Sequence, residues 1–349
     1  MKRTLLAAAV ASMITAGCGS THSVAVVPTG ADIQRNAIGI GQTIYTFHLF
    51  SGPAEDYHHQ MTVGPDGNVW FRDSLSKKIG FITPTGSVTE YSLPQGHAVA
   101  SGIAAGPDGN IWYTEGRNNS VGRVTMAGAV TVYKLPYNRE PIDITGGADG
   151  NLWFTVKKPS SGPWWIGKIT PTGTATFYPV PGLTANLNDI TMGPDGNVWF
   201  ADGGSRTIGR VTPSGAITEF NVPNGITPNG IVRAADNALY TAAKGSVGTF
   251  VRITPSGSIS VIVDPGNANQ FDVIAEGPKH CIWGSRACAN GVGECLDLFN
   301  VTHHGFHEHR FPTSVSALAG LVAGADGNIW FQVYSTGNIP EGLGKLNAY

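Results

Sequence analysis

Short runs in which apolar and polar residues alternate recur along most of this chain, each broken by a cluster of Gly, Pro, Asp, Asn, Ser or Thr. Val88-Thr89-Glu90-Tyr91-Ser92-Leu93-Pro94 is typical, and its period of two predicts a half-buried strand. Unbroken apolar runs such as Val69-Trp70-Phe71 predict strands covered on both faces. The breakers are turn chemistry. In Pro65-Asp66-Gly67-Asn68, Pro presets φ for a first central position, while Gly and Asn accept the left-handed conformation. Thr83-Pro84-Thr85-Gly86 serves the next hairpin in the same way.

These elements repeat. Gly64 to Phe71 recurs as Gly106 to Tyr113, Gly147 to Phe154, Gly193 to Phe200 and Gly324 to Phe331, with degenerate copies ending at Tyr240 and Trp283. The anchors Trp70, Trp112, Trp153, Trp199, Tyr240, Trp283 and Trp330 lie 41 to 47 residues apart, a propeller-blade period. A second phrase, Ile79 to Gly86, returns at Val121, Ile166, Ile208 and Val251. Each unit therefore reads as four short antiparallel strands. One such sheet has two apolar faces and cannot bury them alone, so the units must stack, with the anchor aromatics filling the space between them. The expected fold is all-β, a seven-bladed propeller spanning residues 43–349.

The chain ends suggest how the ring closes. Ile44 to Phe50 has the outer-strand pattern without three strands before it, and after Trp330 the chain supplies one more strand, Leu343 to Leu346. The N-terminal strand is expected to complete the last blade.

Composition narrows the function classes. Charged residues are only 13% and Gly reaches 47 of 349, as a turn-rich chain requires. A formal net charge of −2 argues against a nucleic-acid partner, because such proteins carry a basic stripe. Lys2 and Arg3, the apolar run Leu5 to Ile14 and the small residues Ala16-Gly17-Cys18 read as an export signal over residues 1–18. They resemble a bacterial lipoprotein signal, in which Cys18 is lipidated; cleavage near Ser23-Val24-Ala25 is the alternative. Residues 19–42 read as a polar spacer. The expected location is the cell envelope, periplasm or exterior, with contact to a membrane only through a lipid anchor. A monomer is expected.

The repeated Gly-Pro-Asp-Gly-Asn-Val/Ile/Leu-Trp-Phe, followed by Ile-Gly-Arg/Lys-Ile/Val-Thr-Pro-Thr/Ser-Gly, resembles the virginiamycin B lyase family of seven-bladed propellers. The resemblance implies a Mg²⁺-dependent elimination that opens a cyclic depsipeptide at its ester, with a His base and neighbouring metal-holding acids at the channel mouth. Such a pairing makes sense: the base removes a proton α to a carbonyl while the cation stabilises the developing enolate. The family's His lies in a phrase of the type Glu-Pro-His-Gly-Ile near the chain end. Here that phrase is Ala317-Leu318-Ala319-Gly320-Leu321, without acid or base.

In the other units the same entrance position reads His59, Ser101, Ile142, Asn188, Asn229 and Phe271. His59 is the base available to a rotated site, with Asp56 and Glu140 as Mg²⁺ ligands and Tyr57 and His58 beside them on the rim. Asp73, Glu115 and Asp202 each follow their anchor by three residues and project toward the same rim, as an oxygen-rich cation site or as solvated polar groups. Trp164 and Trp165 either grip a ligand or pack. Cys288 and Cys295 are expected to bridge across the insertion between them, and His307 with His309 are surface residues or an adventitious metal site.

Two functions follow. One is an exported propeller that binds a small molecule or an envelope partner at its channel mouth without the family's catalytic pair. The other is a Mg²⁺-dependent streptogramin B lyase-type carbon–oxygen lyase, or a lactone hydrolase-like enzyme, with a displaced site.

Overall fold

The computed structural model describes residues 33–38 and 42–48, and residues 61–346 apart from 74–76, 95–101, 137, 158–162, 183–184, 245–248, 264–270, 272, 278–280, 288–293, 302–305, 312–314 and 336–341. Two strands come first, β1 (Ile33–Ile38) and β2 (Gln42–His48). Six four-stranded sheets follow. Blade one is β3 (Met61–Val63), β4 (Val69–Asp73), β5 (Lys78–Ile82) and β6 (Val88–Ser92); blade two is β7 (Ile103–Ala105), β8 (Ile111–Glu115), β9 (Ser120–Val124) and β10 (Val130–Lys134). Blade three is β11 (Glu140–Gly146), β12 (Leu152–Lys157), β13 (Trp165–Ile169) and β14 (Ala175–Pro179); blade four is β15 (Leu187–Met192), β16 (Val198–Asp202), β17 (Thr207–Val211) and β18 (Ile217–Asn221). Blade five is β19 (Thr227–Arg233), β20 (Leu239–Lys244), β21 (Thr249–Ile253) and β22 (Ile259–Val263); blade six is β23 (Val273–Gly277), β24 (Cys281–Ala287), β25 (Glu294–Asn300) and β26 (Phe306–Arg310). The seventh sheet has the order β1-β2-β29-β28-β27, with β27 (Val315–Ala323), β28 (Ile329–Ser335) and β29 (Gly342–Leu346). The protein is an all-β propeller of seven antiparallel blades.

Burial explains the two hydropathy patterns. Every residue of β4, β8 and β16 is buried, because a second strand is flanked within its sheet and covered by a blade on each face. The outer strands β6, β14, β18 and β22 alternate partly buried with exposed, as their sequences do. The six anchor tryptophans are almost wholly buried. Trp70 packs with Ile103, Ile111, Tyr113 and Val124 of the next blade, so the anchor fills the space between blades as expected.

The turns bind the tryptophans from below. In blade one the Trp70 Nε1–H donates to Asp66 Oδ1 at 3.0 Å, and the Asn68 amide donates to the same oxygen at 3.2 Å. Trp112, Trp153, Trp199 and Trp330 repeat this with Asp108, Asp149, Asp195 and Asp326, and Tyr240 does so through its hydroxyl with Asp236. A cation from the third strand lies over the ring and reaches the next blade. Arg123, Lys168 and Arg210 donate to the carbonyls of Pro171, Pro213 and Pro255 at 3.2, 2.9 and 2.9 Å.

The same contact joins the last blade to the first. Lys345 lies 5.1 Å from the Trp330 ring and donates to the Pro84 carbonyl at 3.1 Å. Met61, Val69, Phe71 and Ile82 of blade one form one core cluster with Trp330 and Leu343 of blade seven. At the outer side of that blade, β2 runs antiparallel to β29 in the register Ile44↔Leu346 to His48↔Gly342, and β1, which falls within residues 19–42, pairs with β2.

Candidate functional site

The inner strands β3, β7, β11, β15, β19, β23 and β27 surround a central cavity of about 240 Å³. Each runs from the mouth toward the turn that leads into its second strand, and the second strand returns to the mouth. The residues entering an inner strand and those ending a second strand therefore share one rim.

Asp56, Tyr57, His58 and His59 of the expected site lie outside the described residues, as does Cys18. Glu140 opens β11, half-buried, opposite Lys157. Asp73, Glu115 and Asp202 do end second strands at the rim, yet they are buried, which corrects the expectation of solvated groups. Ser120 Oγ donates to Glu115 Oε2 at 2.8 Å. Asp202 Oδ1 accepts the amides of Asn186, Gly204 and Ser205 at 2.7, 3.0 and 3.1 Å, tying the strand end to two loops. Burial, with Asp202 adding its charge, pushes the neighbouring Glu219 carboxyl above its ordinary range, although the Thr207 hydroxyl offsets part of this.

Asn229 is buried at a bulge in β19, its amide donating to Thr241 Oγ1 at 3.1 Å. Two further buried acids lie on the inner strands of blades three and four. Asp143 Oδ2 accepts the Ile190 amide of blade four at 3.0 Å; Asp189 accepts that amide at 2.7 Å through Oδ1 and the Ile231 amide of blade five at 2.7 Å through Oδ2. Backbone donors that the bulges release from their sheets are thereby satisfied across blade boundaries. The repeated Asp-Ile-Thr at Asp143 and Asp189 was the available signal, but its partners lie 42 and 47 residues away.

Several other expectations change. Gly277 occupies in blade six the place of Gly64, so the entrance position there is Asp272, outside the described residues; Phe271 is instead stacked on Phe250 at 4.2 Å in the core. Trp165 packs, with the Arg139 guanidinium 4.2 Å from its ring and 4.0 Å from Phe177. His309 stacks on Trp283 at 5.5 Å, the place that Tyr133 holds on Trp112 and Phe220 on Trp199, so it is a packing residue of its blade. His307 lies opposite Leu298 in β26. Cys295 is buried opposite Arg286 and Cys281 opposite Asn300, a register that holds these two cysteines too far apart to join each other; Cys288 lies outside the described residues.

The last blade carries no acid or base at the entrance. Leu318 and Leu321 are buried, Ala319 pairs with Gln332, and Gly320 adopts φ +57°. No cluster of three acids, histidines or cysteines that would hold a metal occurs among the described residues. With Glu115 Oε2 bound by a hydroxyl and Asp202 Oδ1 by backbone amides, the described residues do not assemble the oxygen-rich set that Mg²⁺ needs. The described part of the rim is polar and braced by these bonds.

The sequence profile of the virginiamycin B lyase family matches residues 30–244 and, in a second alignment, 138–343. A streptogramin B lyase structure is 28% identical, with a TM-score of 0.75 over 88% of this chain and 98% of its own. Virginiamycin B lyase from Staphylococcus aureus is 27% identical at TM-score 0.73, covering 88% of this chain and 100% of its own. A catalytically inactive histidine-to-alanine variant of that enzyme, with quinupristin, is 28% identical at TM-score 0.72, again over 88% and 100%. Among curated proteins none matches.

Proposed function

Because this chain belongs to the virginiamycin B lyase family while alanine and buried leucines occupy the entrance of its last blade, we propose that it is an exported propeller that binds a small molecule or an envelope partner at its channel mouth without opening cyclic depsipeptides. The carrying observation is the blade-seven sequence Leu318-Ala319-Gly320-Leu321, whose leucines are buried and which holds neither base nor acid. That a relative is inactivated by losing one histidine supports the reading. Loss of a general base alone costs about 10² to 10⁴ in rate.

The test is antibiotic turnover. Purified protein in Mg²⁺ buffer is expected to leave a streptogramin B antibiotic such as quinupristin cyclic. Efficient linearisation abolished by His59→Ala would overturn the proposal and locate a rotated active site in blade one.

Export belongs to the same proposal. The basic and apolar N-terminus followed by Ala16-Gly17-Cys18 supports cleavage before a lipidated Cys18, and an exported chain favours a Cys288–Cys295 bridge. Intact mass of the protein recovered from the envelope is expected to show a chain starting at Cys18 with added acyl mass, and peptide mapping a 288–295 crosslink. An unmodified N-terminus near residue 26 would exclude lipidation.

A further inference from the structure

The far end of the channel is built differently from its mouth. The last residue of each inner strand is small or apolar in five blades: Val63, Ala105, Gly146, Met192 and Ala323. In blade five it is Arg233, and the matching residue of blade six is Glu276; both line the cavity. The fold tolerates a small apolar residue there, so packing does not require the guanidinium. Arg233 is exposed and makes no ion pair with any described residue.

The rest of the lining is amphiphilic. Thr62, Thr145 and Thr191 supply half-buried hydroxyls from blades one, three and four, and Val322 and Ala323 of blade seven supply half-buried apolar surface, while Ile103, Ile144, Ile190 and Ile274 are packed into the blades behind them. A cavity of about 240 Å³ has room for on the order of eight waters, or an organic molecule of similar heavy-atom count. A planar guanidinium in a partly apolar site selects a carboxylate, which it can meet with two parallel hydrogen bonds. Glu276, at the matching position of the next blade, opposes a second negative charge.

We propose that the turn end of the central channel is a binding site for small monocarboxylates with a short apolar tail, the carboxylate on Arg233 and the tail against Val322 and Ala323. This site stands at the opposite end of the channel from the mouth, so its fate is independent of the reading above.

Calorimetric titration of the full chain with acetate, butyrate and hexanoate at low ionic strength tests it. Affinity is expected to rise about fourfold for each methylene added, and hexanol and hexylamine are expected to bind more weakly than hexanoate. Arg233→Met is expected to lose hexanoate affinity at least tenfold with an unchanged melting temperature. Should that variant misfold, Arg233→Lys keeps the charge without the fork and is expected to fall between the two. Absence of carboxylate binding, hexanol binding as tightly as hexanoate, or an Arg233→Met chain that binds like the parent would each overturn the proposal.

Discussion

Asp195 accepts three hydrogen bonds, from the Trp199 indole at 3.0 Å and from the Asn197 amide and side chain at 3.2 and 2.7 Å. Burial alone would raise its carboxyl, but these bonds outweigh that and hold it below the ordinary value; Asp149 behaves alike, with Lys168 adding to the effect. A lowered folded value means stability that is present above the unfolded value, near 3.9, and is lost as pH falls through the folded one. The melting temperature is therefore expected to drop below about pH 4, and Asp195→Asn, which keeps an acceptor and does not titrate, to flatten that acid limb. Parallel limbs for parent and variant would contradict the assignment. Asp195→Ala strands a buried indole N–H and is expected to cost roughly 1–3 kcal/mol at neutral pH. Blade six shows the natural counterpart: Lys279 stands where the acid would be, and Trp283 Nε1 has no partner among the described residues. A second constraint of this size is Gly209, where a Cβ would lie 2.0 Å from the Phe200 ring, and the third-strand glycines of blades one, two, three and seven are dictated in the same way by the aromatic beside them.

At the scale of elements, the question is what completes blade seven. Without β2 that blade would present β29 as an open edge, a template for pairing with other chains. We propose that β2 is the clasp that covers it. Removing residues 19–50 is expected to lower the melting temperature and promote aggregation on heating, as scanning calorimetry with light scattering would record. A truncated chain that melts like the parent would show that the packing of Met61 and Phe71 on Trp330 and the Lys345–Pro84 bond hold the ring unaided.

For the whole molecule, the ring follows from local rules applied seven times. Period-two alternation, Pro-Asp-Gly-Asn turns and a returning Trp fixed strands, hairpins and blade number, because each is set by residues close in the chain or by how many apolar faces need covering. The rim was less legible. That Asp73, Glu115 and Asp202 end second strands followed from their spacing after the anchor, but their burial depends on loops and neighbouring blades that no local pattern describes. Likewise Asp143 and Asp189 reach into the following blade, and Arg123, Lys168 and Arg210 tie each turn to the next, over separations of 42 to 48 residues. His309 looked like a surface residue because its alternation is that of an outer strand; stacking on Trp283 appears only once the four strands are assembled. The sequence alone determined the architecture, since strand, turn and repeat are encoded within one unit. Only the tertiary structure decided which polar side chains brace the ring and which face the channel, because hydrogen-bond partners and burial are properties of two blades meeting.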